Sequence, residues 1–179
     1  MAPPCDLRIV RLTPALAEQA GALQVTAEQR AYVGDPAVNV VDTLRDPGSE
    51  GMAILCGDTM IGAYRLDFSP NAVTGRPYAQ ASVGLRAFLV DRRFQRRGLG
   101  VSAARLLCAD LRLRHPSRRV VLLAVHARNR AGIATYRKAG FVDTGTWLAG
   151  GRAGPQHLML RMLGAPVVAP ARMGEWTHG

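Results

Sequence analysis

The chain of 179 residues has the length of one ordinary domain, and its 48% hydrophobic and 20% charged residues make a globular rather than a disordered composition. The longest wholly apolar run, Val120–Val125, is too short to span a bilayer, and no basic segment followed by an apolar stretch marks a secretory signal. Three widely spaced cysteines (Cys5, Cys56 and Cys108) without a CxxC pair argue against a disulfide framework and against a zinc site, so we expect a soluble cytoplasmic protein.

The formal net charge of +10 comes from one stretch of the chain. Residues 91–138 contain thirteen basic and two acidic side chains, whereas residues 1–90 contain seven basic and nine acidic ones. A focused positive field attracts a polyanion, either nucleic acid or a phosphate-rich small molecule. The alternative is a solvated arginine-rich surface that has no partner.

The first half of the chain predicts strands and helical segments. Alternating apolar and charged residues predict a strand over Leu7–Leu12. Helical spacing predicts one segment that begins after Thr13 and continues through Ala27, and a second over Val33–Leu44, interrupted near Asp35. Two further strands, Met52–Cys56 and Ile61–Phe68, are expected to form a hairpin, followed by an exposed loop over 69–80.

The second half predicts alternating strands and helices. The predicted elements are a strand over Ser82–Val90, a helix from Leu99 to His115, a buried strand over Arg119–His126, a short helix over Asn129–Lys138, and two closing strands over Phe141–Trp147 and His157–Leu163. This order predicts one mixed α/β domain over residues 1–163. Residues 164–179, rich in Pro, Gly and Ala, are expected to form a flexible tail.

A glycine-containing loop, Gln95-Arg96-Arg97-Gly98-Leu99-Gly100, lies between the predicted strand and the long helix. The start of a helix offers unpaired backbone N–H groups, and glycines let the chain approach an anion closely, so such a loop can hold a phosphate. It is not a Walker loop, and Ala103 stands where a dinucleotide fingerprint has its third glycine. On its own the loop could equally be a tight structural turn.

Two segments together carry a family resemblance. The strings FLVDRRFQRRGLG and NRAGIATYRKAGF, which span Phe88–Phe141, resemble the GNAT superfamily of acetyl-CoA-dependent N-acetyltransferases. The resemblance implies a central mixed sheet with splayed strands flanked by helices, acetyl-CoA as cosubstrate without a metal, and direct transfer of an acetyl group to an amine. Family analogy also allows a homodimer.

The resemblance assigns roles to particular residues. The amides of Arg96–Val101 would hold the pyrophosphate of coenzyme A, and the amide of Leu89 or Val90 would donate to the thioester oxygen. Asn129 would contact the pantetheine region, and Tyr136 would be the catalytic general acid that protonates the leaving thiolate. The full predicted cofactor-binding set is Phe88, Leu89, Val90, Gln95, Arg96, Arg97, Gly98, Leu99, Gly100, Val101, Ser102, Asn129 and Tyr136.

The acceptor is expected to be a primary amine of a small molecule. Arg30–Leu44 and Leu85–Gly100 resemble bacterial diamine and polyamine acetyltransferases, but Ala87 replaces their usual arginine and Gly150–Ala153 lacks their acidic residue. No residue stands out as the general base, for which His126, Asp67 and Asp91 are candidates. A peptide or protein amine acetyltransferase, an aminoglycoside enzyme and a non-catalytic acyl-CoA sensor remain alternatives. Few aromatic residues and no DNA-binding motif argue against a nucleic-acid partner, and no membrane partner is expected.

Overall fold

The computed structural model describes residues 5–150 and 153–164, so all but the first residue of the predicted tail lies outside the described residues. The strands are β1 Leu7–Arg11, β2 Ser49–Cys56, β3 Thr59–Asp67, β4 Ser82–Val90, β5 Val120–His126, β6 Val142–Leu148 and β7 Gln156–Met162. The helices are α1 Ala17–Gly21, α2 Ala27–Val33, α3 Pro36–Arg45, α4 Leu99–Arg114 and α5 Arg130–Lys138, with 3-10 turns at Pro14–Leu16 and Arg92–Phe94.

The seven strands form one sheet in the order β1-β2-β3-β4-β5-β7-β6. Neighbouring strands are antiparallel except for β4 and β5, which are parallel because α4 connects them across one face of the sheet. The predicted single-domain mixed α/β fold is therefore confirmed, including the β2–β3 hairpin and a strand with the predicted bounds Ser82–Val90.

The parallel strands β4 and β5 separate soon after they meet. Their pairing covers only Ser82 to Gly84 on β4, opposite Val120 to Leu122 on β5. On its other edge β4 continues to pair with β3, with one irregularity where Ala87 adopts a left-handed φ of 49°. The strands thus splay, as predicted, and the second half of β4 has one backbone edge that pairs with no strand in the described part of the chain.

Helices cover both faces of the sheet. On one face the buried residues of α4, such as Leu107 and Leu111, pack against Leu123 of β5 and Met159 of β7. On the other face α1 and α3 pack over Leu89 and neighbouring strand residues. The short helix α2 contains no buried residue and lies over the end of the sheet where the strands splay.

The helical region before β2 is more divided than predicted. The expected continuous helix after Thr13 breaks at Gly21, and α2 begins with a capping box in which Thr26 and Gln29 bond each other's backbone amides. The third helix begins at Pro36 because the Asp35 carboxylate accepts from the amides of Ala37 and Val38. The interruption predicted near Asp35 is therefore a helix boundary.

One disulfide contradicts the expectation drawn from the cysteine count. Cys5 and Cys56 are bonded, and Cys108 is free and buried. Antiparallel pairing places Leu7 opposite Cys56, which brings Cys5 within a Cα–Cα distance of 5.5 Å although 51 residues separate the two cysteines in sequence. Strand register cannot be read from cysteine spacing. Within the described ranges, no helix is both long enough and apolar enough to cross a membrane.

Candidate active site

A cavity of about 1000 Å³ opens where β4 and β5 separate. Its walls are α2, the end of β4, the loop before α4, and α5 with the two residues that precede it. The cavity is lined by ten residues of the predicted set, namely Phe88, Leu89, Val90, Gln95, Arg96, Gly98, Gly100, Val101, Asn129 and Tyr136. Three predicted residues are not part of the lining: Arg97 lies over the Phe94 ring, Leu99 packs against the core, and Ser102 is exposed on α4.

The loop before α4 is shaped to bind an anion. Arg96 and Gly98 have left-handed φ angles of 61° and 74°, which turn the chain sharply into the helix. The backbone amides of residues 96–101 donate no hydrogen bond to any described residue, as expected for the first turn of a helix. Five basic side chains line the same cavity, at Arg92, Arg96, Arg128, Arg130 and Lys138. Free amides, helix dipole and positive charge together fit a pyrophosphate.

The end of β4 presents one particular amide to the gap. The Asp91 amide donates to the Ile61 carbonyl, and Val90 pairs with Gly62 in the same ladder. Because antiparallel residues alternate between bonded and non-bonded pairs, the Leu89 amide is directed towards β3 and the Val90 amide towards the gap. The Val90 carbonyl accepts from the Gln95 side chain at 2.7 Å. Gln95, predicted to bind cofactor, therefore ties the loop to the end of the strand.

Tyr136 reaches the cavity from α5. Its ring packs against Phe88 and Phe141, with centroids 5.9 and 5.6 Å away. The hydroxyl makes no hydrogen bond to a described residue, and burial raises its pKa above the ordinary tyrosine value. A protonated, unengaged hydroxyl at this position can donate a proton to a group bound in the cavity.

Asn129 acts as the N-cap of α5. Its side-chain oxygen accepts from the Gly132 amide at 3.0 Å, so the carbonyl is already engaged. A Cβ on Gly132 would lie 2.5 Å from the Asn129 side-chain nitrogen, so this glycine is required for the close approach. The side chain can offer a ligand its N–H₂ group, which donates to no described residue.

The two carboxylates considered as general bases are engaged in the fold. Asp91 is fully buried and accepts from the amides of Gln24 and Arg93 and from the Arg93 guanidinium. Asp67 accepts from Ser69 and Arg86. Burial opposes ionisation of both groups, but these hydrogen bonds outweigh it and hold each pKa below the ordinary value. Neither carboxylate is suited to accept a proton at neutral pH.

His126, the third candidate base, lies at the end of β5 beside the cavity wall. It is 8% exposed, and its Nδ1 atom has no hydrogen-bond partner among the described residues. The Nε2 atom lies 3.1 Å from the Gln156 side-chain nitrogen, and the ring packs on Tyr32 with centroids 5.4 Å apart. Tyr32 lines the cavity, whereas His126 does not belong to its lining.

Sequence reasoning missed the wall that α2 contributes. The residues of α2 and the two before it that line the cavity are Val25, Thr26, Glu28, Gln29, Tyr32 and Val33. The helix contains no buried residue, so no apolar periodicity marks its orientation. The only local signal was the resemblance of Arg30–Leu44 to diamine acetyltransferases, which overlaps the end of this helix.

Known proteins with this fold include several acetyltransferases. The family model of the acetyltransferase (GNAT) family matches residues 18–141, more than half of the chain. The structure of aminoglycoside acetyltransferase AAC(6')-Ib in complex with coenzyme A is similar with a TM-score of 0.71 at 16% identity, covering 88% of this chain and 95% of that one.

Two further solved structures resemble the chain over a similar extent. The spermidine N-acetyltransferase from Vibrio cholerae, in complex with coenzyme A and spermine, has a TM-score of 0.65 at 13% identity, covering 88% of this chain and 95% of that one. The GNAT domain of S. lividans PAT has a TM-score of 0.65 at 23% identity, covering 87% and 90%. No curated protein sequence matches the chain.

Splayed strands, a glycine loop at a helix start and a tyrosine across the gap define an acyltransferase-like fold. The family match makes the assignment specific: the chain belongs to the GNAT family of N-acetyltransferases. The resemblance inferred from the sequence motifs is therefore confirmed.

Proposed function

We propose that the protein transfers an acetyl group from acetyl-CoA directly to a primary amine of a small molecule. The observation that carries this proposal is one cavity containing free loop amides, a free β4 edge and the Tyr136 hydroxyl. Structures with this fold contain coenzyme A together with kanamycin in one case and spermine in another, which supports an amine acceptor here.

Each wall of the cavity has its own part in the reaction. Acetyl-CoA supplies an activated thioester. The amides of Arg96–Val101 hold its pyrophosphate, and the open edge of β4 pairs with the pantetheine arm as an added strand would. The Val90 amide, rather than that of Leu89, donates to the thioester oxygen where negative charge develops, an effect of about 3–4 kcal/mol for a well-placed donor.

The chemical step moves two protons. The neutral amine attacks the carbonyl carbon, a C–N bond forms, and the C–S bond breaks. The amine gives up a proton to solvent or to a base, and Tyr136 gives its proton to the departing sulfur. Solvent then reprotonates the Tyr136 oxygen. The products are an N-acetyl amine and free coenzyme A.

Release of free thiol from acetyl-CoA tests this function. The purified protein is assayed with diamines, spermidine, aminoglycosides, amino acids and a lysine-containing peptide, and acetyl-CoA binding is measured in parallel by thermal shift. Turnover with a small amine supports the proposal. Turnover with the peptide alone would favour a protein acetyltransferase, and binding without any turnover would favour an acyl-CoA sensor.

A further inference from the structure

Helix α2 bridges the two separated strands. At one end Gln29 and Gln95 exchange side-chain hydrogen bonds of 2.8 and 3.1 Å, which ties α2 to the end of β4. One turn later the Tyr32 ring packs on His126 at the end of β5. The helix therefore crosses the gap, and its inner side chains form one wall of the cavity.

Cofactor and acceptor are expected to meet this cavity from opposite faces of the sheet. Tyr136 and Phe88 belong to the packed face that contains α4. Val25, just before α2, and Val33, its last residue, belong with Leu89 to the opposite face. Because the phosphate-binding loop begins α4, the cofactor occupies the α4 side. The side chains of α2 are left to contact the acceptor.

Glu28 on α2 is the one acidic side chain among the described residues that line the cavity. Its carboxylate makes no ion pair with a described residue, although Arg128 lines the same cavity and its charge acts on Tyr32. The partner that Glu28 does have is the Tyr32 hydroxyl, which donates to it at 3.3 Å. Partial burial and the Glu28 charge raise the Tyr32 pKa, so this hydroxyl remains a donor.

We propose that Glu28 and Tyr32 bind a second, protonated amino group of the acceptor. The inference rests on the proposed acetyl transfer and narrows its substrate class to compounds with at least two amino groups. The attacking amine must be neutral, whereas a second amine remains an ammonium ion at neutral pH. A carboxylate beside an aromatic ring suits an ammonium ion through charge-assisted hydrogen bonding and attraction to the ring face.

A matched pair of acceptors isolates this contact. The specificity constant kcat/KM is measured for 1,5-diaminopentane and for n-pentylamine, which has the same carbon chain but one amino group. We expect the protein to prefer the diamine, and Glu28→Gln to reduce that preference roughly 10- to 100-fold, as for loss of a hydrogen bond to a charged group. The variant should lower kcat/KM for n-pentylamine far less than kcat/KM for the diamine, and it should leave the KM for acetyl-CoA unchanged.

Glu18→Gln is the control, since Glu18 is an exposed carboxylate on α1 that does not line the cavity. It should keep the full diamine preference. Equal use of both amines by the unmodified protein, or an unchanged preference in Glu28→Gln, would overturn the inference while leaving acetyl transfer established. Failure to acetylate any amine would overturn the proposed function and this inference together.

Discussion

Replacing Tyr136 by phenylalanine removes one oxygen atom from the cavity and tests the proposal that this residue is the general acid. The ring contacts with Phe88 and Phe141 remain, and the hydroxyl has no hydrogen bond with a described residue to lose. We therefore expect the free energy of unfolding to change by less than about 0.5 kcal/mol. If Tyr136 is the proton donor, kcat should fall roughly 100- to 10,000-fold, as general-acid catalysis is lost.

The pH dependence of kcat gives a second measure of the same assignment. Burial raises the Tyr136 pKa, so the hydroxyl stays protonated at every pH below the ordinary tyrosine value of about 10. The unmodified protein should show no alkaline loss of kcat below that pH. Thiol release measured with a good acceptor from neutral to about pH 10 checks this. An alkaline decline in that range would contradict the raised pKa.

Tyr64→Phe is the matched control for Tyr136→Phe. Tyr64 belongs to the same aromatic group, 6.0 Å from Phe88, and its buried hydroxyl also lacks a described partner. Removing an unsatisfied buried hydroxyl should leave stability unchanged or slightly improved, and kcat unaffected. Full kcat in Tyr136→Phe would refute the acid assignment. An equal loss in both variants would instead indicate disturbed packing.

Three further predictions concern the binding loop and one buried carboxylate. Gly98→Ala and its control Gly145→Ala both place a side chain at a left-handed φ with open space around it. Each should lower the free energy of unfolding by about 1–2 kcal/mol, measured with denaturant. Only Gly98→Ala should also weaken acetyl-CoA binding, measured by calorimetry. Arg96→Ala should weaken that binding several-fold and lessen its salt sensitivity, whereas Arg112→Ala, at the far end of α4, should not. Hydrogen bonds hold the Asp91 pKa low despite burial. The stability that this carboxylate contributes is therefore present above about pH 4 and is lost as the pH falls through the lowered pKa. The midpoint temperature of thermal unfolding should fall more steeply with acid in the unmodified protein than in Asp91→Asn.

The sequence predicted elements whose burial pattern is regular. The bounds of strand Ser82–Val90 and of the helix after Gly98 were predicted to within one residue. Continuous apolar runs and an apolar helical face indicate directly which residues are buried. The glycine loop was recognised because its backbone conformation requires particular residues. Helix α2 gave no such pattern, since none of its residues is buried, and its bridging role depends on Gln29 and Tyr32 meeting partners more than 60 residues away.

The direction in which each backbone amide of β4 points could likewise not be predicted from the sequence. Motif position alone left Leu89 and Val90 as equal candidates for the thioester donor, because both follow Phe88 at the end of the same strand. The choice depends on which residues of β4 pair with β3, and the irregularity at Ala87 shifts that alternation by one residue. The shift follows from the left-handed backbone conformation of Ala87. Nothing about an alanine at this position indicates that conformation in the sequence.

The short pairing of β4 with β5 accounts for the site as a whole. The parallel pairing covers three residues of each strand and ends at Gly84. Beyond this point the two strands diverge and leave a wedge-shaped gap in the sheet. The start of α4 and helix α2 both border this gap, so basic side chains and Glu28 line one cavity. In the proposed reaction the anionic cofactor contacts the α4 side and the cationic acceptor contacts α2, with the β4 edge between them. The excess of positive charge in residues 91–138, which alone suggested either a nucleic acid or a phosphate-rich small molecule, includes the five basic side chains that line this cavity and fits the anionic cofactor proposed here.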